Sequence, residues 1–346
     1  MEPLIIDGSQ GEGGGQILRT SLSLSMITGR PVVIEKVRAK RKKPGLQPQH
    51  LTAVNAARTL CNGTVQGAEL RSGWLRFVPG PVSAGTYHFP IGTAGASTLV
   101  MQTVLPALLL QGSPSRATFE GGTLNPMAPP FDFVERVFVP ALRLMGAKLS
   151  LRLERHGFYP QGGGRWHLEV QPAPLERLEL LEAGALKRRT ARAVLSKLGD
   201  HIGNRELRVV RERLGFGPHE CRIEHVEALS PGNAVLLELE REPLAELASS
   251  IGERGKPAEQ VAGDAVAELQ QLMSVPVGPH LADQLLLPMA IGAGGTFRTV
   301  ALTPHSLTNI AVIEAFGVAS FEVARASGNT TVTVSASSRT PRPRAA

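Results

Sequence analysis

The sequence predicts an α+β protein: three copies of one α+β unit form a large domain, and a small α/β domain is inserted between the second copy and the third. Short β-like runs alternate with runs of helical spacing, and this order of elements begins three times along the chain. Residues 185–275 hold 13 Lys and Arg against 14 Asp and Glu, whereas the rest of the chain holds 24 against 16. This difference predicts an inserted domain at 185–275, a large domain over 1–184 and 276–338, and a disordered tail at 339–346.

The first copy shows the order of elements most clearly. Gly29 and Pro31 are expected to end its first helix, because glycine favours the residue after a helix and proline cannot continue one. The expected elements are a strand at 4–7, a helix at 16–28, a strand at 31–38, a helix at 48–61, and two strands within 64–80 that turn at Ser72 and Gly73.

The other two copies and the inserted segment follow from the same patterns. The second copy has expected helices at 97–111 and 130–146 and expected strands at 116–123, 147–157 and 164–172. The third has expected helices at 278–294 and 306–317 and expected strands at 295–302 and within 320–336. In the inserted segment we expect helices near 187–199 and 258–273 and strands near 208–213 and 234–241.

Composition excludes several classes of protein. The chain of 346 residues is 42% hydrophobic but only 4% aromatic, which indicates a globular fold with an aliphatic core. Its most apolar stretch, 97–112, contains Gln102 and Pro106 and is typical of a buried helix, so no membrane partner is expected. Cys61 and Cys221 lie too far apart for a metal-ligand spacing or a disulfide framework. The first residues lack a basic and then apolar signal, which predicts a cytoplasmic protein.

Positive charge is concentrated near the N-terminus. The net charge is +7, and the stretch EKVRAKRKKPG at 35–45 alone contains six basic residues. Such a cluster indicates a phosphate-bearing partner, and the alternative is an ordinary solvated strand and loop. The sequence leaves the oligomeric state open, with a homodimer as one option.

A glycine-rich loop, DGSQGEGGGQ at 7–16, joins the first strand to the first helix. Glycines let a ligand approach the backbone closely, and the free amides at a helix start favour an anion. The loop lacks the Gly-Lys-Ser/Thr of phosphate loops and the spacing of dinucleotide-binding glycines. Glu12 would repel a bound phosphate unless a divalent cation lay between them. We therefore expect Glu12 to be a ligand of Mg²⁺ or Mn²⁺. The alternative is a tight turn with a surface glutamate.

Further candidate phosphate and sugar contacts lie close to this loop in the sequence. Arg19 follows Gln16 by about one helical turn and could point back toward the glycines. It forms a candidate set with four other residues, each of which, taken alone, is more often an ordinary surface residue: Arg38, Arg41, Gln49 and His50.

His305 is the strongest candidate for a nucleophile. It stands in LTPHSLTN at a junction between a strand and a helix, where reactive groups are well presented. Pro304 stiffens the approach, and Ser306 or Thr308 is expected to cap the helix. A neutral imidazole is a capable nucleophile toward phosphorus, and the alternative is a surface or capping histidine. The residues by themselves do not select the reaction.

Taken together, six segments resemble the RNA 3′-terminal phosphate cyclases, and the likeness extends to about residue 335. These segments are DGSQGEGGGQILR (7–19), KPGLQPQHLTAV (43–54), GTAGASTLVMQTVLPAL (92–108), RHGFYPQGGG (155–164), HLADQLLLPMA (280–290) and HSLTNIAVIEAF (305–316). The resemblance implies a large domain of three units, each a sheet covered by two helices, plus a small inserted domain.

The resemblance also implies a reaction. In this family a histidine attacks the α-phosphorus of ATP, which gives a covalent histidine-AMP and releases pyrophosphate. The AMP passes to the 3′-phosphate of an RNA end, and the adjacent 2′-hydroxyl then displaces AMP to leave a 2′,3′-cyclic phosphate. His305 aligns with that nucleophile, and Glu12 with the carboxylate that holds the divalent metal against ATP.

Other site residues are implied only by this likeness. Arg19, Arg38, Arg41, Gln49 and His50 match positions near the phosphates or the RNA end. The expected nucleotide contacts are Arg19, which also matches a position near the phosphates, and Gln102, Leu281, Ala282, Asp283 and Gln284, with Asp283 at the ribose. Pro130 matches one wall of the adenine slot, and His280 stands at the other wall, where family members often carry tyrosine.

Two other functions compete with this interpretation. Non-catalytic relatives that bind RNA in ribosome assembly lose the nucleophilic histidine and erode the glycine loop, whereas this chain has both His305 and Glu12. An enolpyruvyl transferase would share a repeat-built α+β architecture, but HSLTN has no evident part in its chemistry.

Overall fold

The computed structural model describes residues 2–326 and 328–338, so the predicted tail at 339–346 lies outside the described residues. Over the described part the chain is a mixed α+β protein, as the sequence predicts, and its named strands form four sheets of four strands each. No helix in this part of the chain is long and apolar enough to cross a membrane.

The first sheet follows the sequence prediction closely. Its order is β1-β2-β4-β3, with β1 parallel to β2 and the other pairs antiparallel. Gly29, in a left-handed conformation, ends the first helix as expected. The elements are β1 (Leu4–Asp7), α1 (Gly15–Thr28), β2 (Val32–Glu35), α2 (Pro48–Cys61), β3 (Thr64–Gln66) and β4 (Leu75–Val78).

The second sheet has the corresponding order β5-β6-β8-β7, again with one parallel pair, β5 with β6. A π-helical turn, Val134–Phe138, joins the short helix α4 to α5. The elements are β5 (Thr86–Pro90), α3 (Ser97–Leu109), β6 (Ser115–Gly121), α4 (Phe131–Phe133), α5 (Val139–Leu144), β7 (Lys148–Arg155) and β8 (Gly164–Gln171).

A short strand and then the inserted segment follow. Strand β9 (Leu178–Leu180) is only three residues long, and the sequence patterns did not predict it. The fourth sheet then forms within the inserted segment, in the order β11-β10-β12-β13. Its elements are β10 (Leu186–Ser196), α6 (Asp200–Leu214), β11 (Cys221–His225), β12 (Gly232–Arg241), β13 (Glu246–Ile251) and α7 (Ala258–Leu272).

Two predictions for this segment are wrong. The expected helix near 187–199 is strand β10, and the expected strand near 208–213 lies inside helix α6. The basic residues and alanines of β10 favour a helix in isolation, but its second half is buried on both faces, as a central strand requires. Helix α6 carries Asp200 in its first turn and ends at Gly215, which has a left-handed conformation. Both residues are signals of a helix, and both lie outside the stretch 208–213 for which a strand was predicted.

The third sheet consists of strand β9 and three strands that follow the inserted segment. Its order is β15-β16-β14-β9, with β9 parallel to β14 and the other pairs antiparallel. It therefore has the same strand pairing as the first and second sheets. The elements are α8 (Pro279–Ile291), β14 (Gly295–Thr299), α9 (Pro304–Phe316), β15 (Ala319–Ala326) and β16 (Asn329–Ala336).

The fourth sheet separates two hydrophobic clusters. Along β12, Val235, Leu237 and Leu239 face a cluster formed with residues of α6 and α7. Ala234 and Leu236 point to the opposite face and join the larger cluster, which runs through the other three sheets. Because side chains alternate along a strand, the inserted segment has a core of its own on one face and packs against the rest of the protein with the other.

Candidate active site

The glycine loop lies against the start of helix α9. Gly11 has φ +52°, and a Cβ atom there would lie 2.1 Å from Thr308 Oγ1. A Cβ atom at Gly14 would lie 2.1 Å from Glu12 Oε1. A larger residue at Gly11 would therefore be strained and would clash with Thr308, and one at Gly14 would displace the Glu12 carboxylate. The backbone N–H of Glu12 donates to Thr308 Oγ1 over 3.2 Å, which ties the loop to the helix that carries the candidate nucleophile.

Helix α9 presents His305 in its first turn. Thr303 is the N-cap, and its Oγ1 accepts a hydrogen bond from the Ser306 N–H at 3.1 Å. The expected cap, Ser306 or Thr308, is therefore wrong, because the helix already begins at Pro304 and both residues lie inside it. Proline suits this first position, where the missing N–H has no helical partner.

His305 and Glu12 lie in contact. His305 Nδ1 is 3.1 Å from Glu12 Oε1, a close polar contact that lacks the alignment of a hydrogen bond. The imidazole is half exposed, whereas the carboxylate is only 9% exposed. The structure thus brings together the predicted nucleophile and the predicted metal ligand, from opposite ends of the chain.

Glu12 is also paired with Arg41, whose Nη2 contacts Oε2 of the carboxylate. Burial by itself would raise the pKa of the Glu12 carboxyl, but His305 and Arg41 together hold this pKa below its usual value. Glu12 is therefore ionised at neutral pH, which is the state that a metal ligand needs.

Glu12 could hold a divalent cation only together with oxygen atoms of a bound substrate and of water. Oε1 of Glu12 is buried and makes no aligned hydrogen bond, and besides the contact with His305 Nδ1 it keeps a lone pair that could coordinate a cation. In the described part of the chain no cluster of three or more His, Cys, Asp or Glu residues could hold a metal. Because Mg²⁺ is commonly held by one or two carboxylates together with substrate phosphates and water, a single carboxylate is consistent with such a site.

Two other predicted phosphate contacts, Arg38 and Gln49, differ in what they contact. Arg38 Nη1 donates to two carbonyls of its own loop, Lys43 O at 2.6 Å and Gly45 O at 3.0 Å. Gln49 lies beside Gly95 of the glycine turn before α3, where a Cβ atom would be 3.3 Å from Gln49 Cβ. Of the predicted group, Arg41 alone contacts the Glu12 carboxylate directly.

His50 is buried beside Gly15 of the glycine loop. Burial, with Arg38 and Arg19 nearby, lowers the pKa of His50 to about 3, so the ring is neutral at physiological pH. Nδ1 accepts the N–H of Gln47 at 3.1 Å, which places the ring proton on Nε2. A Cβ atom at Gly15 would lie 2.6 Å from this nitrogen. His50 therefore offers the loop an uncharged N–H donor.

Four of the predicted nucleotide residues line one pocket between α1, α3 and α8. They are Arg19, Gln102, Asp283 and Gln284. Burial lowers the pKa of Arg19 to about 10 although Asp283 and Glu12 oppose the change, so this side chain remains a cation. Arg19 Nε and Gln284 Oε1 are buried without hydrogen-bond partners. A ligand with polar atoms of both kinds would satisfy them.

The remaining predicted nucleotide residues lie outside this pocket. Leu281 and Ala282 are buried in the core, so their side chains cannot meet a ligand there. Pro130 is buried at the start of α4. His280 is exposed at the start of α8, and its ring meets the Phe133 ring edge-on with centroids 6.5 Å apart.

Sequence reasoning missed a polar network among residues that line the pocket. Thr20 Oγ1 donates to Asn309 Oδ1 at 2.7 Å, and Asn309 Nδ2 donates to the backbone carbonyl of Asp283 at 3.0 Å. This network joins α1, α8 and α9. The polar Asn309 among the apolar residues of α9 was the available signal, since a polar group that such a helix buries is normally hydrogen-bonded.

Comparisons with known proteins agree with the likeness found in the sequence. The family model described as RNA 3′-terminal phosphate cyclase matches residues 10–323. A protein named RNA 3′-terminal phosphate cyclase from Koribacter versatilis is 49% identical over 324 residues, covering 92% of this chain and 91% of that protein. Proteins of the same name from Pseudomonas fluorescens and Ralstonia nicotianae are 48% and 49% identical, covering 88% and 90% of this chain and 90% of each relative.

Among solved structures, an EPSP synthase from Acinetobacter baumannii aligns with 92% of this chain and 62% of its own at 16% identity. Its TM-score of 0.29 is too low for any conclusion about fold or function. The match of the family model over most of the sequence and the relatives near 49% identity are decisive. The chain belongs to the RNA 3′-terminal phosphate cyclase family.

Proposed function

We propose that this protein is an enzyme that converts an RNA 3′-phosphate end to a 2′,3′-cyclic phosphate at the expense of ATP. The single observation that supports this most is the contact between His305 and Glu12, at 3.1 Å, on the glycine loop. Family membership supplies the reaction class, because the curated relatives carry the name of this activity.

In the first step His305 attacks the α-phosphorus of ATP. Because Nδ1 faces the Glu12 carboxylate, the ring proton is favoured on Nδ1, and the lone pair of Nε2 is left for the attack. The bond from Nε2 to phosphorus forms, the bond from the α-phosphorus to the bridging oxygen breaks, and pyrophosphate leaves. Glu12 would hold a Mg²⁺ or Mn²⁺ ion, which supplies charge neutralisation at the phosphates.

In the second step an oxygen of the RNA 3′-phosphate attacks the same phosphorus, and the bond to Nε2 breaks. The 2′-hydroxyl oxygen then attacks the 3′-phosphorus and loses its proton, and AMP leaves.

We assign Arg38, Arg41, Gln49 and the uncharged N–H of His50 to contacts with the phosphates or the RNA end. Bidentate guanidinium groups and neutral donors both suit phosphate oxygens.

The nucleotide is assigned to the pocket of Arg19, Gln102, Asp283 and Gln284. Its unsatisfied Arg19 Nε and Gln284 Oε1 support this assignment. We place the ribose at Asp283 and the base toward His280 and Pro130. The buried Leu281 and Ala282 would contribute through backbone atoms only.

We also propose the domain organisation from these observations. Three sheets share both their strand pairing and their chain order, with the first, second, fourth and third strands side by side, which supports three copies of one unit in a large domain, residues 1–184 and 276–338. The separate hydrophobic cluster within 191–272 supports an inserted domain at 185–275.

Labelling with α-labelled ATP tests the proposed function. Wild-type protein with Mg²⁺ should take up label covalently, and His305→Ala should abolish the uptake because no other group replaces the nucleophile. The exposed His201 in α6 provides a matched control, and His201→Ala should be labelled like the wild type. Undiminished labelling of His305→Ala would move the nucleophile elsewhere. A wild-type protein that binds RNA but never takes up label would instead be a non-catalytic relative.

A further inference from the structure

The inserted segment contacts both elements that lie at the base end of the proposed nucleotide site. Toward α4, Arg192 of β10 pairs with Asp132, two residues after Pro130. Toward α8, the buried Glu246 of β13 accepts the N–H of Gly278, the residue before the helix, at 2.6 Å. The inserted segment therefore braces the two stretches that carry Pro130 and His280.

A third contact involves the side chain of His280 itself. Glu268 of α7 lies on the inserted segment, and its Oε1 is 3.2 Å from His280 Nε2. The same carboxylate is anchored by its other oxygen, since Glu268 Oε2 accepts the N–H of Ser249 at 3.0 Å. Glu268 is only 20% exposed, whereas the His280 ring is 65% exposed. A fixed carboxylate thus holds a ring whose surface remains open.

The position of His280 on α8 relates this ring to the pocket. His280 precedes Asp283 and Gln284 by three and four residues, so the three side chains share one face of the helix. The ring lies about one turn, roughly 5 Å, nearer the helix start than the two pocket residues. A nucleotide with its ribose at Asp283 would therefore present its base to His280.

The charge on His280 depends on the groups that face it. Three carboxyl groups do so: Glu268 of α7, Glu246 of β13 and Asp283 of α8 itself, and the Phe133 ring packs from the side of α4. Contact with Glu268 raises the pKa of His280 above its usual value, although partial loss of hydration opposes the rise. At a pH below this raised value the ring is an imidazolium, which binds the face of an aromatic base more strongly than a neutral ring does.

We propose that Glu268 is a positioning residue that fixes the His280 ring as the stacking surface for the nucleotide base, and that the inserted segment thereby tunes nucleotide affinity. The proposal rests on the proposed function, since it requires the base to lie beside α8. It gives the inserted segment a role that its own sequence does not reveal.

The test compares Glu268→Gln with Glu253→Gln, a change at an exposed carboxylate of the same segment. Glutamine keeps an acceptor for the Ser249 N–H but removes the charge beside His280. The Kd of AMP, measured by calorimetry from pH 6 to 9, should rise about 3- to 10-fold at pH 7 in Glu268→Gln. In adenylylation assays, the KM for ATP should rise by a similar factor while kcat stays within about twofold.

The pH dependence of AMP affinity shows whether Glu268 positions the His280 ring or only stabilises the fold. Wild-type affinity for AMP should fall as the pH rises through the raised pKa of His280, and in Glu268→Gln this fall should occur at lower pH. His280→Tyr should abolish the fall, and adding Glu268→Gln to His280→Tyr should change the Kd by less than about twofold. This double variant and the wild-type profile remain informative even if Glu268→Gln alone folds poorly.

Three results would overturn the inference. One is an AMP affinity in Glu268→Gln equal to that of Glu253→Gln at every pH, and another is a wild-type affinity that does not change with pH. The third is an equal effect of Glu268→Gln with histidine or tyrosine at 280. If wild-type protein is labelled by ATP and one of these results is obtained, only the inference fails. If wild-type protein is not labelled at all, the proposed function fails first.

Discussion

The phosphate end and the base end of the proposed site are built in opposite ways. At the phosphate end, Arg41 and His305 come from different stretches of the chain, and each contacts the Glu12 carboxylate directly. At the base end, His280 and the segment after Pro130 are held by carboxylates and an arginine of the inserted segment.

The two ends are therefore expected to control different properties of the protein. At the phosphate end the paired groups are the candidate reactive groups themselves, so substitutions there should act mainly on the rate of adenylylation. At the base end the contacts act through other residues, so substitutions there should act on stability and nucleotide affinity. Substitutions at each end test whether the two ends differ in this way.

The largest effect is expected from breaking the buried pair at the base end. Arg192 and Asp132 are both nearly inaccessible, with side chains 5% and 7% exposed. Arg192→Met would leave the Asp132 carboxylate buried without its cation, and the free energy of unfolding should fall by about 3 to 5 kcal/mol in urea titrations. Adding Asp132→Asn should recover most of this loss. A loss below about 1 kcal/mol in the single variant would show that the pair does not brace the base end.

Glu246 should make the same end sensitive to pH. Burial raises the pKa of this carboxyl to about 7, although its hydrogen bond from Gly278 opposes the rise. Because the folded-state pKa is above the unfolded value near 4.5, the stabilising contribution is complete below pH 4.5 and is lost as the pH rises to about 7. Relative to Glu246→Gln, the free energy of unfolding of the wild type should therefore fall by about 3 kcal/mol between pH 4.5 and 8.

Urea titrations of both proteins at several pH values measure this difference directly. Glu206, whose pKa is also raised to about 7, titrates equally in both proteins and therefore cancels in the comparison. A difference between the two proteins that is independent of pH would show that Glu246 is ionised throughout.

The third expected effect lies at the phosphate end and concerns the rate. Glu12→Gln keeps the shape of the side chain but loses the charge that would hold a divalent ion, so the rate of adenylylation should fall by about 100-fold. The rate should also need more Mg²⁺ to saturate, which a titration of the labelling rate would measure. The exposed Glu322 of β15 provides the control, because Glu322→Gln removes a carboxylate elsewhere. An unchanged response to Mg²⁺ would remove Glu12 from the site.

Local sequence patterns were most reliable where neighbours along the chain decide the structure. Gly29 marked the end of α1, and the order of strands and helices in the first sheet was predicted correctly. The glycine loop and the helix junction that carries His305 were also evident. The patterns failed at β10, where burial on both faces outweighed helix propensity, and at β9, which three residues cannot specify without the partner strand β14.

The amino-acid sequence was sufficient for the α+β class, the family and the candidates Glu12 and His305, because each depends on residue types within short windows. Only the tertiary structure placed His305 Nδ1 beside the Glu12 carboxylate, buried His50 as a neutral donor, and brought Glu268 to His280. Such contacts join residues far apart in the chain, and they are decided by how sheets and helices pack. The charge state of a side chain likewise depends on the burial and the neighbours that packing creates.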